Sequence, residues 1–260
     1  MNSLLLTGNQ WNLIYSVFSL GLVSMIACTV YTLVSQSRVL PKYRNALVMS
    51  SMVTFIAGYH YIRIFDSYGE ASTIVEGSTD VMVNLSGSQG SFNEAYRYVD
   101  WLLTVPLLLV EVIAVLALSA VVARSLVMRL VPASAAMIAL GYPGEVSTIQ
   151  STQILYGVLS TIPFLYILYV LFVELGKSLD RQPAGVAETV GRLRLLLLAT
   201  WGVYPIAYIF NIVGSETGSS FVAVQVGYTI ADILAKCVFG LTIFKIARMK
   251  SMAEGMKEDH

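Results

Sequence analysis

Lys236 lies in the middle of the apolar stretch FVAVQVGYTIADILAKCVFGLTIF, with Asp232 four residues before it. A bare ammonium or carboxylate at membrane depth costs several kcal/mol, so ionisable groups in such a stretch are rare and mostly functional. The spacing i, i+4 puts both side chains on one helix face, about 6 Å apart along the axis. One chemistry for such a pair is an ion pair that ties helices together. The other is a lysine held as a covalent imine to a carbonyl ligand, with Asp232 as part of its counterion. A second row of groups sits in RYVDWLLTVPLLLVE, where Arg97, Asp100, Thr104 and Glu111 follow at offsets of 3, 4 and 7. Those offsets stack the four on one helix face, with about 16 Å of rise between Asp100 and Glu111. Two carboxylates and an arginine on one stripe point to a proton path.

These groups need a scaffold that holds them at membrane depth. The chain has 260 residues, 56% of them hydrophobic and only 12% charged, which excludes an ordinary soluble domain. Apolar runs near 10–34, 45–65, 96–118, 122–141, 150–175, 192–213 and 220–247 each suffice to cross a hydrocarbon core of roughly 30 Å. The expected fold is an all-α membrane protein, a seven-transmembrane-helix bundle over residues 1–250, followed by a short cytoplasmic tail, 251–260. The opening MNSLLLTGNQ lacks a basic n-region and reads as the approach to the first span, not a cleavable leader.

Net charge is zero, yet the charges are sorted by side. Thirteen of the sixteen basic residues, among them Arg38, Lys42, Arg124, Lys177, Arg192 and Lys250, fall in the first, third and fifth loops and the tail. The other loops carry Asp66, Glu70, Glu76, Asp80, Glu145 and Glu216. This asymmetry sets the N-terminus outside and the C-terminus in the cytoplasm. The loop at about 66–92 contains TIVEG and VMVNLSG separated by turn residues, a short β-hairpin between helices 2 and 3. Cys28 and Cys237 both fall inside spans and read as small buried residues with no support for a disulfide.

RYVDWLLTVP, WGVYP and DILAK together resemble the microbial (type 1) rhodopsins, and the likeness runs through all seven spans. In that family a lysine of the last helix carries all-trans retinal as a protonated Schiff base, which the resemblance puts on Lys236. It implies Asp232 and Asp100 as counterions, Thr104 one turn from Asp100, and Glu111 as the cytoplasmic proton donor. The triplet at 100, 104 and 111 is the pattern of outward proton pumps of the proteorhodopsin and xanthorhodopsin branches. Arg97 would keep Asp100 ionised at rest, and apolar surroundings would keep Glu111 protonated until needed. The resemblance also implies a retinal pocket of Trp101, Leu108, Met137, Gly141, Ser160, Thr161, Phe164, Trp201, Tyr204, Pro205 and Tyr208, with leucine at 108 going with green absorption. Aromatic residues at such spacing are also ordinary core.

His60, in AGYHYIRIF, is either a hydrogen-bonded structural histidine or the family's partner to the proton acceptor, and a subunit-contact role stays open. Gly157 stands where many relatives have a tryptophan. A glycine there either opens a side window for an antenna carotenoid or lets helices pack closely. Glu94 and Glu216 are outer-side acids that serve as release groups or as solvated loop residues. The expected setting is a lipid bilayer, a prokaryotic cell membrane, with the chain in a homo-oligomeric ring. The rival to a pump is a retinal photosensor that signals through a membrane partner. Glu111 and the short tail speak against it.

Overall fold

The computed structural model describes residues 3–85, 90–183, 185–213 and 217–256. Glu216 and Lys257 therefore lie outside the described residues. Seven rods form the bundle. They are α1 (Gly8–Val34), α2 (Pro41–Glu70), α3 (Ala95–Leu116), α4 (Ala120–Glu145), α5 (Gln150–Tyr169), α6 (Val186–Val213) and a composite seventh. The seventh is α7 (Gly218–Asp232), a π-helical stretch (Ile233–Val238) and α8 (Phe239–Ala253). A second π turn, Val170–Glu174, ends α5. Among the described residues, four rods are long and apolar enough to cross a membrane by length and composition alone: Gly8–Arg38, Ala95–Leu116, Ala120–Glu145 and Gln150–Glu174.

Local chemistry starts these helices where they begin. Thr7 and Gln10 form a reciprocal capping box at the start of α1, and Thr217 with Ser220 does the same for α7. Pro41 opens α2 at a position where its missing N–H costs nothing. Large apolar side chains such as Leu13, Val23, Phe55, Val121, Leu155 and Ile162 point outward, as lipid-facing surfaces require. Hydroxyl side chains of the first two helices face inward and pair. Between α1 and α2, Thr29 Oγ1 meets Thr54 Oγ1 at 2.7 Å, and Thr32 Oγ1 meets Ser51 Oγ at 2.8 Å.

The expected hairpin between α2 and α3 is present as β2 (Ser72–Ile74) against β3 (Val81–Asn84), antiparallel, with Thr73 opposite Met82. A third strand joins it. Ser3–Leu6, β1, pairs antiparallel with the other edge of β3, Leu4 opposite Val83, so the order is β1-β3-β2. The N-terminal residues thus cap one end of the bundle, here called the sheet end. Both cysteines are free. The Cys28 thiol donates to the Cys237 carbonyl at 3.7 Å, next to the π stretch.

Candidate functional site

The composite seventh rod places Lys236 within its π-helical stretch, where the Phe239 N–H reaches back five residues to the Leu234 carbonyl. Lys236 is 2% exposed, and its Nζ donates to Asp232 Oδ1 at 2.6 Å and Asp100 Oδ2 at 2.8 Å. The two stretches singled out in the sequence therefore meet at one nitrogen.

The two carboxylates are not equivalent. Asp232 also accepts from Tyr204 Oη at 2.7 Å, Tyr61 Oη at 2.9 Å and Trp101 Nε1 at 3.4 Å. Arg97 Nη1 lies 3.8 Å from Asp232 Oδ2. Asp100 has the lysine, and its Oδ1 has no hydrogen-bond partner among the described residues. Arg97 forms its ion pair with Asp232, not with Asp100 of its own helix. Its Nη2 donates to Gln225 Oε1 at 2.7 Å, and Gln225 Nε2 donates to Glu94 Oε1 at 2.5 Å. The guanidinium packs over the rings of Phe18 and Tyr228, at 5.5 and 5.2 Å.

Thr104 is fully buried and returns its hydroxyl to the Asp100 backbone carbonyl at 2.8 Å. His60 is buried beside Tyr59, with Nδ1 2.9 Å from the Ile56 carbonyl. A carbonyl only accepts, so that nitrogen carries the proton in this arrangement. Glu111, fully buried, lies toward the opposite end of α3 from Arg97 and accepts from Ser50 Oγ of α2. Gly240 makes room for this contact, because a Cβ there would lie 3.2 Å from the serine oxygen.

A cavity of about 600 Å³ runs from Lys236 between α3, α4, α5 and α6. It is lined by Trp101, Leu108, Met137, Gly141, Gly157, Ser160, Thr161, Phe164, Trp201, Tyr204, Pro205 and Tyr208, every pocket residue expected from the sequence. Trp101 packs against Tyr204 with centroids 4.7 Å apart, Ser160 Oγ donates to the Met137 carbonyl, and Thr161 Oγ1 to the Gly157 carbonyl. The lining is apolar apart from a few hydroxyls, Glu145 and the lysine, and the size suits a small organic ligand. A buried primary amine closing one end of an apolar, aromatic slot fits a lipophilic aldehyde such as retinal. Tyr61, Ser50, Gln225 and Glu145 were not anticipated. For Tyr61, Ser50 and Gln225 the signal available was a polar side chain inside an apolar run, the same signal that exposes Lys236; Glu145, at the end of α4, carried no such signal.

Residues 12–249 match the family described as bacteriorhodopsin-like protein. The chain belongs to the bacteriorhodopsin-like family. The crystal structure of thermophilic rhodopsin superposes on this bacteriorhodopsin-like protein with a TM-score of 0.91 and 45% identity, covering 97% of this chain and 99% of that one. Xanthorhodopsin, a light-driven ion pump with dual chromophore, gives 0.91 and 46%, over 98% and 100%. The green-light absorbing proteorhodopsin of gamma-proteobacterium EBAC31A08 is 29% identical over 90% of this chain and 86% of its own length. Bacteriorhodopsin of Halobacterium salinarum is 30% identical over 91% and 84%. The fold, the family and the seven-helix architecture expected from the sequence are those of this bacteriorhodopsin-like protein.

Proposed function

We propose that the protein is a light-driven outward proton pump of the retinal type, set in a cell membrane with its sheet end outside. The observation that carries this reading is the unequal support of the two carboxylates on Lys236. Asp232 keeps its negative charge through two phenols, an indole and the Arg97 guanidinium. Among the described residues the Asp100 carboxylate is bonded to the lysine alone. A proton leaving the lysine nitrogen therefore moves to Asp100 Oδ2, 2.8 Å away. All-trans retinal, carried on Lys236 as a protonated Schiff base, would supply light absorption and the change of geometry that starts the transfer.

Glu111 stands about 16 Å along α3 from Asp100 and is fully buried. Ser50 fixes one of its oxygens, and from there Glu111 returns a proton to the lysine nitrogen. Acceptor toward the sheet end and donor toward the other end give transport one direction. His60, with its Nδ1 proton turned to Ile56, presents an Nε2 lone pair that shares the proton taken up by Asp100. Tyr59, 56% exposed beside His60, gives this face an aromatic contact for a neighbouring copy in an oligomeric ring. The competing reading, a photosensor with a membrane partner, lacks a use for Glu111.

A carotenoid antenna at Gly157 is the second reading, favoured by a cavity whose lining continues onto lipid-exposed side chains of α5 and α6. It carries a condition. The Tyr208 ring already occupies the glycine notch, since a Cβ on Gly157 would lie 2.9 Å from Tyr208 Cε1. A second pigment has to lie against that ring or displace it. An action spectrum for transport that follows added carotenoid would support the antenna, and one that follows retinal absorption alone would refute it.

The deciding experiment is external pH of illuminated cells that express the chain with added all-trans retinal. Acidification that a protonophore abolishes supports the pump. A coloured protein with no pH change supports the sensor, and no colour removes the role of Lys236.

A further inference from the structure

Tyr208 of α6 ties three helices together at the side of the cavity. Its hydroxyl donates to the Gln153 carbonyl of α5 at 2.6 Å. A Cβ on Gly144 of α4 would come within 1.9 Å of that hydroxyl, and one on Gly157 of α5 within 2.9 Å of the ring. Two glycines on two helices thus give up side-chain space to one tyrosine. Behind it the cavity reaches Lys236. In front of it the same cavity is lined by Val158, Ile162 and Ile209, which are 57%, 62% and 55% exposed on the lipid-facing surface. The seam between α5 and α6 is therefore the place where the space around the lysine and the outer apolar surface are continuous.

We propose that this seam is the portal through which a lipophilic aldehyde passes from the bilayer to Lys236, with Tyr208 as its bolt. An apolar polyene dissolves in lipid, and the two ends of the bundle offer it charged loops instead. Swinging the Tyr208 ring off Gly157 breaks its hydrogen bond to the Gln153 carbonyl. The aldehyde carbon then reaches the lysine nitrogen, a C=N bond forms, and the aldehyde oxygen leaves as water. The ammonium lends one proton to the Asp100 and Asp232 pair so that the neutral amine can attack, its other two hydrogens leave in the water, and the lent proton returns to the C=N nitrogen. The proposal rests on the reading of Lys236 as the retinal-bearing residue.

The test is the time course of visible colour after all-trans retinal is added to the retinal-free chain in lipid vesicles, normalised to the final absorbance. Tyr208→Phe keeps the ring and loses the bolt, so colour should develop several-fold faster. Ile162→Trp fills the lipid side of the seam and should slow it several-fold. Phe55→Trp, at a 68% exposed position on α2, should leave the rate unchanged. Equal rates in Tyr208→Phe, Ile162→Trp and the unmodified chain would overturn the portal. Absence of colour in the unmodified chain would instead overturn the reading of Lys236 beneath it.

Discussion

Arg97 points across the bundle to Asp232, 3.8 Å from Nη1 to Oδ2, and not along its own helix to Asp100. Both side chains are 2% exposed. Removing one member of a buried pair costs on the order of 3 kcal/mol, lessened here because Lys236 still faces Asp232. Arg97→Gln should therefore lower the thermal midpoint of the pigment by several degrees. Gln225→Leu should produce a smaller loss, because it removes the two hydrogen bonds to Arg97 and Glu94 and leaves the charges in place. Calorimetry on both variants checks the order.

Asp100→Asn takes away the carboxylate that, among the described residues, has no donor besides Lys236. The visible band should move to the red and illumination should no longer change external pH. Transport that survives this substitution would assign the acceptor elsewhere.

Glu111→Gln keeps the shape of the Ser50 contact and removes the proton to be donated. Colour in the dark should be unchanged, while recovery after a flash slows by roughly a hundredfold to ten-thousandfold, the scale of a lost proton-transfer group. Ser50→Ala should slow recovery less, since it disturbs only the orientation of the carboxyl. Flash absorbance on the two variants reads the difference.

At the end of α8, past the last apolar run, Lys250 donates to the Leu116 carbonyl at 2.7 Å and lies over the Tyr43 ring. Burial pushes its ammonium down to about 8 from the ordinary 10.5. Below pH 8 both folded and unfolded chains hold the proton. Between about 8 and 10.5 only the unfolded chain does, so stability should rise with pH across that window and level off above it. Lys250→Met should flatten the rise, which thermal midpoints measured from pH 7 to 11 will show.

Gly144→Ala forces the Tyr208 hydroxyl away from a position 1.9 Å from the new methyl group. Overpacking of this kind costs about 1–3 kcal/mol. The variant should melt earlier, and Tyr208→Phe combined with it should restore part of the loss. An unaltered midpoint in Gly144→Ala would mean that the tyrosine is held less firmly than the geometry requires.

Much of the site was legible because membrane depth makes polar residues conspicuous. Lys236, Asp232, Asp100 and Glu111 stand out of apolar runs, and helical spacing fixes their faces. The hairpin of β2 and β3 was legible from its turn residues and alternation. Its third strand was not: Ser3–Leu6 is four residues of mostly leucine, which read equally as the approach to a span, and only β3's free edge makes it a strand. The partner of Arg97 was also hidden. Helical periodicity ranks neighbours along one helix, whereas Asp232 and Gln225 reach the guanidinium from another. Gly157 as a window was read from a missing side chain, and the sequence does not say that Tyr208, fifty-one residues later, fills the space.

The hydroxyl pairs between α1 and α2 bear on how the chain is built. Thr29 with Thr54 and Thr32 with Ser51 need no group from any later helix. In lipid, where hydrogen bonds between helices substitute for the hydrophobic drive, the two rungs can close as soon as the second span has been inserted. The first two spans would then enter the bilayer as a prefabricated hairpin, a template against which the remaining five are laid down.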